Sequence, residues 1–198
     1  MTKVIGLTGG IATGKSTVSK ILSDLGYFLI DADKLVHKMQ EKEGKLFTKI
    51  VQYFGEEILV SEGELNRKKI GQLIFSDNKS YQKLAKIQDK IIEEEIKNQL
   101  KEELKKNRKL IFLDIPLLFE GNYEKLCDEV WLVTASQEIQ VSRLKKRSNL
   151  TRKEALQRIQ RQMSQEEKMK RTDIILENTQ TIEELRNQIL IELKRIDK

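Results

Sequence analysis

The sharpest chemical signal in the chain is Gly9-Gly10-Ile11-Ala12-Thr13-Gly14-Lys15-Ser16, which satisfies the spacing G-x-x-x-x-G-K-[ST]. Glycines at those positions let the backbone curl until successive N–H groups point inward at an anion. A helix that opens at the end of the loop adds its positive pole to the same site. Lys15 is long enough to reach the terminal phosphates of a nucleoside triphosphate, and the Ser16 hydroxyl is a hard oxygen ligand suited to Mg2+. A triphosphate and Mg2+ are therefore the implied ligands.

Carboxylates and guanidinium groups with matching chemistry lie elsewhere. Asp31-Ala32-Asp33 follows an apolar run, where open α/β sheets bind ligands. A carboxylate there suits two roles: accepting the proton of an attacking hydroxyl, or capping a helix N-terminus, for which Asp33 is well placed. Asp114, two residues before Pro116, ends another apolar run, either as a metal-directed acid or as a turn residue. Arg143 and Arg147 are one helical turn apart, so they share either a common anion or a solvated helix face. Guanidinium groups suit an anionic transition state because they offer fixed, forked donors. His37, the only histidine, fits an exposed helix better than catalysis, and Cys127 and Trp131 read as packing.

These residues need a scaffold, and the apolar pattern supplies one. Val4–Thr8, Tyr27–Ile30, Leu110–Leu113, Val130–Val133 and Ile174–Leu176 are short continuous apolar runs, as expected of strands buried on both faces. Between them Val18, Ile21, Leu22 and Leu25 fall at helical spacing and stop at Gly26. Leu46, Phe47, Ile50, Val51 and Phe54 do the same before Gly55. Asn66 is placed to cap a helix with Ile70, Leu73 and Ile74. A long amphipathic helix is expected from Tyr81 to Leu104, with Leu84, Ile87, Ile91, Ile96 and Leu100 near one face. Thr151 with Glu154, Ser164 with Glu167 and Thr181 with Glu184 are capping boxes. The pattern predicts an α/β fold: about five parallel strands flanked by helices, with a helical insertion near residues 34–108 and an Arg-rich segment near 143–171.

Composition narrows the class. The 198 residues include 37 Lys+Arg against 31 Asp+Glu, a net charge of +6, which suits nucleic acid, an anionic membrane surface or small polyanions such as nucleotides. With 38% hydrophobic and 34% charged residues the chain is expected to fold as one soluble domain. No run approaches the roughly 18 apolar residues of a membrane span. Met1-Thr2-Lys3 has no signal-peptide pattern, so a cytoplasmic location is expected. One cysteine excludes an internal disulfide.

Taken together, Thr8-Gly9-Gly10-Ile11-Ala12-Thr13-Gly14-Lys15-Ser16-Thr17, Ile30-Asp31-Ala32-Asp33 and Asp114-Ile115-Pro116-Leu117-Leu118-Phe119-Glu120 resemble the dephospho-CoA kinase family. Gln140-x-x-Arg143-Leu144-x-x-Arg147, Arg158-Ile159 with Gln162-Met163, and Asp173 to Asn178 extend the resemblance over Val4 to Leu193. It implies a P-loop kinase fold with a helical CoA-binding region and a lid. It also implies transfer of the ATP γ-phosphoryl group to the ribose 3′-hydroxyl of dephospho-CoA, with Mg2+ bound at Ser16. On that resemblance Asp33, Lys15 and Arg143 are the catalytic residues. ATP would meet Gly10, Ala12, Thr13, Gly14, Lys15, Ser16, Thr17, Arg147 and Asn178, and the acceptor side would include Asp31, His37, Asp114 and Leu117. Many members carry a His-Pro pair where Gln88-Asp89 stands here, a difference that falls on acceptor contacts. A kinase of another nucleoside or nucleotide, and a nucleotide-dependent nucleic-acid binder, are the competing functions. No nucleic-acid or membrane partner is expected, and nothing in the sequence fixes an oligomeric state.

Overall fold

The five apolar runs form one parallel sheet in the order β2-β3-β1-β4-β5, with β1 at its centre. The strands are β1 (Lys3–Gly9), β2 (Phe28–Asp31), β3 (Leu110–Asp114), β4 (Glu129–Thr134) and β5 (Ile174–Glu177). The computed structural model describes residues 2–60, 62–66, 69–70 and 78–196, the side chains of 78–87 excepted. By compactness the chain divides into two units, Met1–Ile30 with Glu103–Lys198, and Asp31–Glu102.

In the first unit, β1 pairs in parallel with β3 and β4, so Leu7 lies opposite both Asp114 and Trp131. Strand β3 is buried along its whole length, as its uninterrupted apolar run predicts. Helix α1 (Lys15–Asp24) follows the glycine loop and buries Val18, Ile21 and Leu22. These side chains join Ile5, Leu7, Phe112, Trp131, Leu185 and Ile189 in the main core. Phe112 meets Trp131 edge-on at 5.4 Å between ring centroids. Each such side chain contributes on the order of 1.5–3 kcal/mol by leaving water. Gly26, at φ +86°, ends α1: its N–H donates to Ser23 and that of Tyr27 to Leu22, at 2.9 and 3.0 Å. Tyr27 therefore serves the helix stop, and β2 starts at Phe28.

The second unit contains α2 (Ala32–Met39), α3 (Lys45–Phe54), a short 3₁₀ turn at Glu56–Ile58, and α4 (Asn78–Leu104) as far as Glu102. Leu46, Ile50, Ile96 and Leu100 are buried, matching the apolar stripes, and Ile58 of the 3₁₀ turn is buried with them. Among the described residues, the insertion also contains an antiparallel bridge between Leu59 and Leu65. Asn66 accepts from the Lys69 N–H at 3.0 Å, as a helix cap should; Leu73 and Ile74 lie outside the described residues, as do the side chains of Leu84 and Ile87.

After β4 the first unit continues with α5 (Gln137–Ser148), α6 (Arg152–Gln160), α7 (Gln165–Met169) and, beyond β5, α8 (Ile182–Ile196). The capping boxes before α6 and α7 both close reciprocally. So does that before α8, where Thr181 N–H donates to Glu184 at 2.9 Å and Glu184 N–H to Thr181 Oγ1 at 3.2 Å.

Candidate functional site

The glycine loop leaves the C-terminal end of the central strand, where a parallel sheet presents its ligand face. Ala12 (φ 61°) and Gly14 (φ 99°) both adopt left-handed backbone, which curls the loop back on itself. The Thr13 N–H donates to Gly10 O at 3.2 Å, and the Thr13 hydroxyl donates to the same carbonyl at 2.9 Å. Lys15 and Ser16 open α1, where backbone N–H groups have no intrahelical acceptor. Among the described residues no hydrogen bond takes the N–H of Ala12 or Gly14. The result is a concave run of donors at a helix N-terminus, which is an anion cradle.

Lys15 reaches from the loop to the buried Asp114 at the end of β3, forming an ion pair. Asp114 Oδ2 also accepts from the Ser19 hydroxyl at 2.5 Å. Ser19 is one turn beyond Lys15 on α1, a spacing that would have revealed it as a partner of the same carboxylate. Ser16, the residue after Lys15, is exposed. Among the described residues no group of three or more His, Cys, Asp or Glu side chains forms a metal cluster. One hydroxyl and one carboxylate fit Mg2+, which commonly takes its other ligands from phosphate and water.

The outer wall of the loop is held by residues far away in sequence. Arg143 on α5 donates from Nη1 to Ala12 O and Thr13 O at 3.2 and 2.9 Å, and from Nη2 to Asn178 O at 3.2 Å. The Asn178 amide donates to Thr13 O at 2.8 Å and is buried. Both residues meet carbonyls of the loop, which face away from its N–H-lined side. These bonds anchor the Arg143 guanidinium to the loop backbone and to the end of β5. Arg147, the next turn of α5, is exposed. Gln162, quoted above only for its resemblance, accepts from the Ile11 N–H at 2.7 Å.

The opposite wall is the Asp114–Glu120 segment, tied to β1 by Ile115 N–H to Leu7 O at 3.0 Å and the Thr8 hydroxyl to Pro116 O at 3.1 Å. Leu117 on this segment is exposed.

Asp31, Asp33 and His37 belong to the second unit. Asp31 is the N-cap of α2, accepting from the Lys34 N–H at 3.0 Å. The sequence favoured Asp33 for that cap. Because Asp31 fills it, Asp33 falls in the first turn of α2, where its carboxylate is not needed to start the helix. His37 lies in the last turn and is exposed.

A family model described as dephospho-CoA kinase matches residues 3–184. A dephospho-CoA kinase of Streptococcus agalactiae is 44% identical over 196 residues, covering 99% of this chain and all of the relative. A crystal structure of a Thermus thermophilus protein superposes with TM-score 0.81 at 36% identity, covering 98% of this chain and 97% of that one. A dephospho-CoA kinase from Campylobacter jejuni superposes with TM-score 0.76 at 30% identity, covering 99% and 98%.

Proposed function

The chain belongs to the dephospho-CoA kinase family, and we propose that it transfers the γ-phosphoryl group of ATP to the ribose 3′-hydroxyl of dephospho-CoA, giving coenzyme A. The observation that carries this reading is the donor-lined loop with Lys15 and Ser16 beside the buried Asp114. Gly10, Ala12, Thr13, Gly14 and Thr17 shape and line the loop, and Asn178 supports it beside the nucleotide. When ATP enters, Lys15 exchanges its carboxylate partner for phosphate oxygens and neutralises charge that grows during transfer. Ser16 and the released Asp114 are the groups that would hold Mg2+, which supplies charge neutralisation between the terminal phosphates.

Asp33 accepts the proton of the 3′-hydroxyl as it attacks. Asp31 fixes the start of α2 and so the direction in which Asp33 projects. His37 and Leu117 contribute to the acceptor side, Leu117 as exposed apolar surface. Arg147 adds positive charge near the nucleotide, and the segment around residues 143–171 acts as the lid. Substrates of this class are dissolved nucleotides, which agrees with a cytoplasmic enzyme. No helix among the described residues is long and apolar enough to cross a membrane.

An ADP-release assay with dephospho-CoA, adenosine and AMP as rival acceptors tests the reading. Release should require dephospho-CoA. Faster release with adenosine or AMP would reassign the acceptor. No release with any acceptor, combined with salt-sensitive binding to RNA or DNA, would replace the enzyme with a binding module.

A further inference from the structure

Behind the phosphate loop lies a polar cluster to which no role has yet been given. Gln162 Oε1 accepts from the Ile11 N–H at 2.7 Å, joining the turn between α6 and α7 to the loop's tip. The adjacent Met163 N–H donates to Glu120 Oε1 at 3.1 Å. Lys168 on α7, only 1% exposed, places Nζ 2.9 Å from the same Glu120 oxygen, an ion pair without an aligned hydrogen bond. A small cavity of about 50 Å³, lined by Gly10, Gln140, Gln162, Ser164 and Lys168 among others, adjoins these groups. A buried lysine beside a carboxylate is costly to displace, so Glu120 and Lys168 fix the turn that carries Gln162.

We propose that Gln162 is a positioning residue for phosphoryl transfer: its amide oxygen holds the Ile11 N–H and so keeps the loop in the curvature that aims Ala12 and Gly14 at the triphosphate. The proposal rests on the kinase reading above and adds a group outside the consensus loop. Gly10 would otherwise leave the tip floppy. Within the loop the Thr13 bonds to Gly10 O cross it, and Arg143 and Asn178 take carbonyls of the next two residues, Ala12 and Thr13, leaving the Ile11 N–H to Gln162. Gln162 supplies the missing restraint at Ile11, and it does so from the basic segment, making loop shape depend on how that segment is seated. The side chain touches no reacting atom, so its effect should appear in how well ATP is received.

The test pairs kinetics with amide exchange. Gln162→Met keeps length and removes the acceptor. The expected result is a rise of about three- to tenfold in KM for ATP, the range a single neutral hydrogen bond supports, with KM for dephospho-CoA unchanged and only a small fall in Tm. In the unmodified protein the Ile11 amide should exchange far more slowly than that of Ala12, and the variant should lose that protection. An unchanged KM for ATP, equal losses for both substrates accompanied by a lower Tm, or an Ile11 amide as fast as Ala12 in the unmodified protein would each overturn the proposal. Loss of turnover by the unmodified protein would instead count against the kinase reading, and the exchange measurement would still decide the role of Gln162.

Discussion

At the residue scale, Asp114 sets the resting position of the Lys15 ammonium, and on the proposed reading an arriving triphosphate would compete for that ammonium and leave the carboxylate to a metal. The proposed reaction also needs a base, a role proposed for Asp33, and Asp31 rather than Asp33 caps α2. Asp33→Asn should lower kcat by about a hundredfold or more while leaving ATP affinity within a fewfold, as loss of a positioned base does. Steady-state kinetics with both substrates check this, and near-normal turnover would remove Asp33 from the role. Lys15, Ser16 and Asp114 were legible in the sequence because the chemistry of triphosphate binding dictates their types and spacing. Gln162 and the backbone-supporting face of Arg143 were not, because a side chain's partner 130 or more residues away depends on packing that spacing does not encode.

The elements that hold these residues owe their ends to local chemistry. Each predicted capping box closed, since a Ser or Thr and the Glu three residues on can satisfy one another without any tertiary partner. Strand centres followed the apolar runs, whereas edges moved by a residue where hydrogen bonding extended beyond the apolar side chains, as at Glu129 and Glu177. The tightest element is the loop at Gly14. Its φ of +99° disfavours any side chain, and a Cβ there would stand 1.9 Å from the Asn178 amide that holds Thr13. Gly14→Ala should therefore cost about 1–3 kcal/mol of stability and weaken ATP binding at least about tenfold. Thermal melts and calorimetric titration with ATP measure the two effects, and a variant that binds ATP normally would show that the curl is dispensable.

At the scale of the whole molecule, the first unit is closed by a buried acid that gathers distant parts of the chain. Glu129 on β4 accepts from Lys3 on β1 and Trp131 Nε1, both at 2.7 Å, and pairs with Arg195 on α8. Burial pushes its carboxyl up, but the hydrogen bonds from Lys3, Trp131 and Arg195 outweigh it and hold the group below its ordinary value. A carboxyl depressed in the folded state stabilises the fold above its unfolded value of about 4.3, and that contribution disappears as pH falls through the lower folded value. Glu129→Gln should therefore lower Tm at neutral pH by several degrees, about 2 kcal/mol, and the gap to the unmodified protein should close as pH drops below about 4. A gap that persists in acid would assign the effect to packing. The sheet and its nucleotide end were readable from apolar runs and one motif. This network was not, since Glu129 and Arg195 look like ordinary surface charges until the strands and the last helix are assembled. The central claim is that the curled loop and Lys15 deliver the terminal phosphoryl group of ATP to the acceptor ribose, and following ³¹P resonances during turnover tests it most directly. With ATP, Mg2+ and dephospho-CoA, the unmodified protein should build a 3′-phosphomonoester signal as the ATP γ signal disappears, and Lys15→Ala should do so at least about a hundredfold more slowly; an unchanged rate in that variant, or a γ-phosphoryl group released only as inorganic phosphate by the unmodified protein, would contradict it.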